Sequence, residues 1–547
     1  MKAATLRLYQ TLHTWVGLMA GWALFIAFFA GAITVFHEEL HTWQSPDRAL
    51  ADRPAAQGAD PAALDHFMRA LVAAHPRSAE SAYVTLPTVH EPEFTAYWLD
   101  QDGNWQTSSS GKLEAGRNTP GDTSLDAAHG ELAAFIDSLH YTLGVPVAGN
   151  YFMGAVSVLY GLALVSGVLL HLPRLKADLF AVRPGRNLKR FWMDAHNVIG
   201  LFSLPFHLVF AITGAVLCLA MVLITTFNVL AFDGKLFEAL PRLTTASPEL
   251  KAAGRPAPML PAATLMEAAR ASAGARFTPL SVRYQHYGDA RALIEIRGNS
   301  ARALGNYGSV SVHAAAGQPD SGRVLADQTA GRRDANHAIY SAIYALHFGT
   351  YGDLALRLVY LIGGLAGAFL FYSGNLLWIE SRRKTRQAEQ PRVHRLLAQA
   401  TVGVCIGCCI GVAAAFCGAL VWPGRVAGWH YFPVFFAALA WALLRAPARA
   451  AIELLWAAAA GAALVPAVNA AMTGDYLWQA ALAGHWAVAG FDFGALALAC
   501  GFAVLALATR RRARNGPPHS VWALPARGDP ATAAKVAKVP ASLAEPS

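Results

Sequence analysis

Four histidines stand at matched positions of the chain. Arg7, His13, Gly17-Leu18 and Gly31-Ala32 recur at the same intervals as Arg190, His196, Gly200-Leu201 and Gly214-Ala215. Leu139-His140 precedes Ser166-Gly167 and Leu169-Leu170 as Leu346-His347 precedes Ser373-Gly374 and Leu376-Leu377. Neutral imidazole is a metal ligand, and two imidazoles from neighbouring apolar helices can supply both axial ligands of a haem iron. His13 and His196 each lie six residues, roughly 9 Å of helix, after an arginine at the membrane edge, so both rings reach one depth. His140 and His347 each precede an apolar run and belong near the opposite face. The expectation is one haem per pair, His13 with His196 and His140 with His347. Arg7 and Arg190 are placed to pair with propionates, and Gly17, Gly200, Gly161 and Gly364 to admit the ring.

Other readings compete for these residues. An intramembrane histidine often does no more than bridge helices by a hydrogen bond. A di-metal centre is disfavoured because the apolar runs offer few carboxylates. His207 lies eleven residues after His196, near the same helical face, and is a reserve ligand. His171 aligns with Trp378 and suits packing. His37-Glu38-Glu39-Leu40-His41 fits a HExxH zinc pattern, but no third ligand stands out, and a solvated helix end is the blander account. His430 and His485 suit an interface.

The elements that must position these residues are membrane helices. The chain has 547 residues, 55% hydrophobic and only 14% charged, against about 25% charged in soluble domains. Eight spans are expected, at about 14–36, 147–172, 197–222, 358–379, 397–421, 429–444, 450–472 and 488–508, each near the ~20 residues that cross a bilayer. Basic residues cluster in alternate loops: Arg174, Lys176, Arg183, Arg186, Lys189 and Arg190; Arg382, Arg383, Lys384, Arg386, Arg392 and Arg395; Arg445 and Arg449; and Arg510, Arg511, Arg512 and Arg514. The positive-inside bias makes that side cytoplasmic, with both termini inside a bacterial inner membrane. The net charge of +9 is thereby a topology signal rather than a nucleic-acid footprint. The first span is too long for a signal-peptide core and reads as a retained anchor. The six cysteines, Cys218, Cys405, Cys408, Cys409, Cys417 and Cys500, all fall in spans, so no disulfide framework is implied.

The expected order is a first span to residue 40, an outside segment 41–139, a second span 140–172, a basic loop 173–195, a third span 196–231, an outside segment 232–345, a fourth span 346–380, a basic linker 381–396, four added spans 397–510 and a disordered inside tail 511–547. Each outside segment opens with a helical stretch, Pro61–Ala74 or Pro261–Ala273, and continues in alternating strand-like runs, so two small α+β domains are expected. The unit of helix, outside domain, helix is used twice in one orientation, a parallel repeat. The second outside segment is net basic. Arg283, Arg297, Arg332 and Arg333, with Tyr284 and Tyr287, are candidates for guiding an anionic ligand. No GxGxxG opens a helix after a strand, so no nicotinamide or flavin domain is expected.

LHTWVGL at 12–18, FHEEL at 36–40, SLHYTLG at 138–144, AHNVIGLFSLPF at 195–206, ALHFGTYGD at 345–353 and SGNLLW at 373–378 together resemble the PepSY-associated transmembrane family, over residues 1 to about 385. The resemblance implies that the outside segments are PepSY domains and that His13, His196, His140 and His347 ligate haem b, two groups in all. It further implies an inner-membrane oxidoreductase that passes electrons to a ferric siderophore outside and so releases iron. A quinol or a separate reductase would be the donor. The alternatives are a cytochrome b-like conduit to another acceptor and a haem-free PepSY binding or regulatory protein. The four added spans depart from the shorter members of the family.

Overall fold

The computed structural model describes residues 3–45, 60–88, 93–115, 132–172, 188–236, 246–248, 250–382, 390–517 and 520–524. The basic residues from Arg174 to Arg186, with Arg383, Lys384 and Arg386, lie outside the described residues. Six described helices are long and apolar enough to cross a membrane, or seven if one bent pair counts as a span.

The first of these is α1 (Ala3–Thr34), followed by the short α2 (His37–Gln44). The polar segment that follows holds α3 (Pro61–Ala74), β1 (Ser81–Thr85), β2 (Thr95–Leu99), β3 (Trp105–Ser109) and α4 (Ser110–Glu114). Next come α5 (Leu132–Thr142), which carries His140, and the long α6 (Ala148–His171). α7 (Leu188–Phe202) and α8 (Leu204–Cys218) meet at a 66° bend, and α9 (Ala220–Leu230) follows. The bend is a proline effect. Pro205 enters the first turn of α8, where it has no N–H to continue the ladder and its ring crowds the preceding turn.

The second polar segment holds α10 (Ala262–Ala273), β4 (Phe277–Gln285), β5 (Leu293–Ser300), β6 (Tyr307–His313) and β7 (Val324–Asp327). α11 (Ala335–Phe348) carries His347 and leads to the long α12 (Leu354–Ser381). Local chemistry fixes both ends of α11. The Asp334 carboxylate accepts from His337 N at its start, and Gly349 ends it at φ +65°, where a side chain would be strained. The added part holds α13 (Arg392–Val421), α14 (Gly428–Leu444), α15 (Pro447–Thr473), α16 (Leu477–Ala483) and α17 (Trp486–Asn515).

Three findings differ from the sequence expectation. The two outside segments are not separate α+β domains: their strands form one seven-stranded antiparallel sheet, ordered β3-β2-β1-β4-β5-β6-β7. β1 of the first segment pairs with β4 of the second, Ser81 opposite Gln285 and Thr85 opposite Ser281. Each segment alone would leave an exposed strand edge, and joining the edges satisfies both backbones. α3 and α10 lie together over one face, burying Leu64, Met68, Leu71, Leu265 and Ala269 against Val84, Ile294, Ile296 and Val310. The expected span at 429–444 is present as α14, but with 17 residues and Pro433 inside, it is shorter than the six candidate spans. The expected tail from 511 begins inside a helix, because α17 runs to Asn515, its last turn bearing Arg512 and Arg514 where cations suit the helix dipole, and residues 525–547 of that tail lie outside the described residues. Beyond it, Ser520 donates to Glu380 at 3.1 Å.

Candidate functional site

The four matched histidines share one arrangement, which fixes their tautomers. His13 Nδ1 lies 2.8 Å from the carbonyl oxygen of Ala163, and His140 Nδ1 lies 2.7 Å from that of Ala27. A carbonyl only accepts, so both nitrogens carry the proton. His347 Nδ1 lies 2.8 Å from Thr213 Oγ1, which spends its own proton on Val209 O at 2.7 Å. His196 Nδ1 lies 3.3 Å from Ser373 Oγ, which donates to Leu370 O at 3.0 Å. Both hydroxyls therefore accept. All four rings hold the proton on Nδ1 and leave a lone pair on Nε2, the tautomer that a metal-ligating histidine takes.

Close helix approach sets the positions of these rings. A Cβ on Gly167 would stand 3.1 Å from His13 Cε1, and one on Gly374 3.2 Å from His196 Cε1. A Cβ on Gly31 would stand 2.7 Å from His140 Nδ1. The Ser-Gly pairs at 166–167 and 373–374 are thus the floors on which the first two imidazoles rest. The sequence marked those pairs as repeat features without giving them that role. Of the four glycines expected to admit a ring, Gly17 and Gly161 have nothing within 4 Å of an added Cβ and Gly200 has only Leu370, at 3.7 Å. Gly364 packs instead against Ala32 of α1, at 2.9 Å, and serves helix contact.

Between His13 and His196 opens a cavity of about 600 Å³, lined also by Gly17, Gly200, Gly167, Gly374, Tyr160 and Phe371. Its volume falls within the ~300–1,000 Å³ of small-molecule and cofactor sites. His171 and Trp378 line it as well, where packing alone was expected of them. Arg7 and Arg190 are exposed and are not among its lining residues, whereas Arg382 lines it and lies 4.2 Å over the Trp378 ring. The cation at the mouth is therefore one the sequence had marked only for topology.

His140 and His347 face each other with ring centroids 5.9 Å apart and planes 46° apart. Aromatic rings connect this pair with the cavity. Phe371 lies 5.1 Å from Phe28, Phe28 lies 6.0 Å from Phe210, and Phe210 lies 5.2 Å from His347.

The reserve ligand His207 is fully buried and does not line the cavity between His13 and His196. Its Nδ1 contacts Tyr160 Oη at 2.5 Å, its Nε2 has no partner, and Phe28 and Phe206 crowd the ring. The bend at Ser203 puts His196 on α7 and His207 on α8, so the two do not share one straight helix. Among the described residues no three His, Cys, Asp or Glu side chains group to hold a metal ion.

The proposed guiding residues are engaged elsewhere. Tyr284 is buried, Arg283 and Arg297 lie over Tyr83, Arg297 pairs with the fully buried Glu295, Arg332 faces Asp327 at 3.4 Å, and Arg333 donates to Tyr307 O. These charges hold the sheet and α11 together.

A model of the PepSY-associated TM region family matches residues 10–381. An uncharacterized protein of Pseudomonas aeruginosa is 28% identical over 325 residues, which cover 57% of this chain and 79% of the relative. Helices α13 to α17 lie beyond the family match.

Proposed function

The chain belongs to the PepSY-associated transmembrane family, and on that premise we propose that it is a haem b protein of the bacterial inner membrane that reduces ferric siderophores outside the cell membrane. One observation carries the reading: four buried or half-buried imidazoles, at two depths, all keep Nδ1–H satisfied and Nε2 free. His13 and His196 would hold one haem in the cavity between them, and His140 and His347 the other. Haem supplies one-electron chemistry at a potential set by its axial ligands and surroundings.

The chain's own residues do the rest. The Ala163 and Ala27 carbonyls and the Ser373 and Thr213 hydroxyls orient the rings and raise their basicity as ligands. The apolar walls around Phe28, Phe206, Phe210 and Phe371 exclude water between the two levels. Arg382 at the cavity mouth is the cation suited to a carboxylate there. Electrons from a quinol or a separate reductase enter on the inside and leave on the sheet side. There each reduces Fe(III) to Fe(II), which hard siderophore oxygens hold less tightly, so iron is released. The termini then lie inside and the sheet outside.

The test is the visible spectrum of the purified protein and of four variants. His13→Ala and His196→Ala are expected to lose one haem, and His140→Ala and His347→Ala the other. Unchanged haem content in all four, or a wild-type protein without a Soret band, refutes the reading. Loss on His207→Ala alone reassigns the ligand.

A further inference from the structure

The HEELH segment remains outside the function argued so far. Spacing of i and i+4 puts His37 and His41 on one face of α2. Their Nε2 atoms stand 3.1 Å apart. The other nitrogen of His37 lies 2.7 Å from the Asp137 carboxylate on α5, the helix of His140. The carboxylate charge beside Nδ1 favours the tautomer with its proton on that nitrogen, which leaves the lone pair on Nε2. His41 Nδ1 has a weak contact with Gln44 Nε2, at 3.4 Å, while the Gln44 carbonyl oxygen accepts from Leu132 N at 2.9 Å. The helix holding both imidazoles is thus tied to α5 at two points. His37 and Asp137 are about one-third exposed, so an ion can reach them.

We propose that His37 and His41 form a site for a borderline divalent transition-metal ion at the sheet-side end of α1. The geometry fits. An ion 2.0–2.1 Å from both nitrogens would subtend about 98° between them at a separation of 3.1 Å, between the octahedral and tetrahedral angles. Without metal, His41 Nε2–H donates to His37 Nε2, and the ion takes the place of that one proton, which moves to His41 Nδ1. The carboxylate behind His37 is the outer-shell partner that metal-binding histidines ordinarily have. The protein contributes two nitrogens and water completes the shell, which makes the site one for capture and release rather than a closed structural cage. Imidazole selects the late divalent ions, Fe(II) and Ni(II) among them, over calcium and magnesium. On the proposed function, with ferric siderophores reduced at the neighbouring His140–His347 pair, Fe(II) leaving there is the cargo. The site itself stands on its geometry alone.

The experiment uses the full-length protein, with any affinity tag removed, titrated with Ni(II) by calorimetry at pH 7.5. One saturable equivalent is expected. His41→Ala is expected to abolish it, and Asp137→Asn to weaken it about 10- to 100-fold, the usual effect of removing an outer-shell carboxylate. Binding is expected to weaken as the solution is acidified, because both ligating nitrogens must be unprotonated. Asp137→Asn leaves both ligands in place, so it keeps the test informative if His41→Ala does not fold. Equal binding by wild type and His41→Ala, or an unchanged affinity in Asp137→Asn, overturns the proposal. Haem content read from the same samples separates the two readings, since a protein without haem that still binds Ni(II) through His41 keeps this site and loses the other.

Discussion

Gly31→Ala tests the positioning of the outer imidazole with a single methyl group. The added Cβ would lie 2.7 Å from His140 Nδ1 and 2.8 Å from Cε1. An ordinary contact needs at least about 3.4 Å, so the ring must withdraw by about 0.7 Å (3.4 − 2.7). It cannot do so and keep the 2.7 Å bond to Ala27 O. The loss of one such bond costs about 0.5–1.5 kcal/mol, and a ~30° turn off the rotamer adds about 0.5–1.5 kcal/mol. Ala is otherwise the better helix former by about 1 kcal/mol, so the net cost is about 0–2 kcal/mol while the imidazole is displaced. The expected result is a protein of near wild-type melting temperature in which the haem proposed for the outer pair is lost or changes spin state in the absorption spectrum. Gly17→Ala is the control: it lies on the same helix and lines the inner cavity, yet an added Cβ there meets nothing within 4 Å. Equal spectra for Gly31→Ala and wild type, or equal damage from both variants, would refute the reasoning.

Removal of Arg297 would strand Glu295, which is fully buried and holds Ala246 N, Ser247 Oγ and the guanidinium. Arg297→Met is expected to cost about 3–5 kcal/mol in thermal unfolding, and adding Glu295→Leu to recover most of it. Backbone and side-chain bonds from His337 hold the Asp334 carboxylate below its ordinary range. The cap therefore contributes above about pH 4 and is lost as pH falls through the lower folded value. Asp334→Ala is expected to lower stability by about 1 kcal/mol at pH 7, and its melting temperature to converge on that of wild type below pH 4. Asp102→Cys, in the exposed β2–β3 turn, is expected to react with a membrane-impermeant thiol reagent in spheroplasts, while a cysteine at Gly185 does not. The opposite pattern would reverse both the topology and the direction of electron flow.

Local patterning carried the helices and most strands, because their signals are local. α3 begins at Pro61 behind Asp60, whose side chain accepts from Ala62 N, and β1 alternates half-buried with buried residues. β3 and β7 carry weaker patterns, Trp105–Ser109 with a single buried residue and Val324–Asp327 with none. Pairing of β1 with β4 was not legible, since it joins residues about 200 positions apart and depends on which edges remain free. The matched histidines stood out through type and spacing. Their partners did not: backbone carbonyls at Ala27 and Ala163 leave no mark on a sequence, and Ser373 and Thr213 resemble ordinary helix-packing hydroxyls. A bend at Pro205 is foreseeable, but its consequence for His207 needs the direction of the turn. Arg283 and Arg297 were read as surface charge because no local pattern reveals that Tyr83, from the other segment, lies beneath them.

The helices beyond the family match are joined to the site through α2. Eight residues are too few for a helix to persist alone, so α2 must be held by its neighbours. On one side the fully buried Trp43 packs at a tilt against Phe416 of α13, and its Nε1 donates to Asp492 of α17 at 3.0 Å. Asp492 also accepts from Asn469 of α15 at 2.9 Å. On another side Arg357 of α12 clasps Glu39 and the Val35 carbonyl. On the third, Gln44 caps α5 at Leu132 N, and Asp137 meets His37. A carboxylate buried among apolar helices is costly unless its hydrogen bonds are met. Here one of the donors comes from Trp43, inside the family-matched part of the chain. The contact from Trp43 to Asp492 therefore ties α2 to the added bundle, and through α5 it links that bundle to the helix that presents His140.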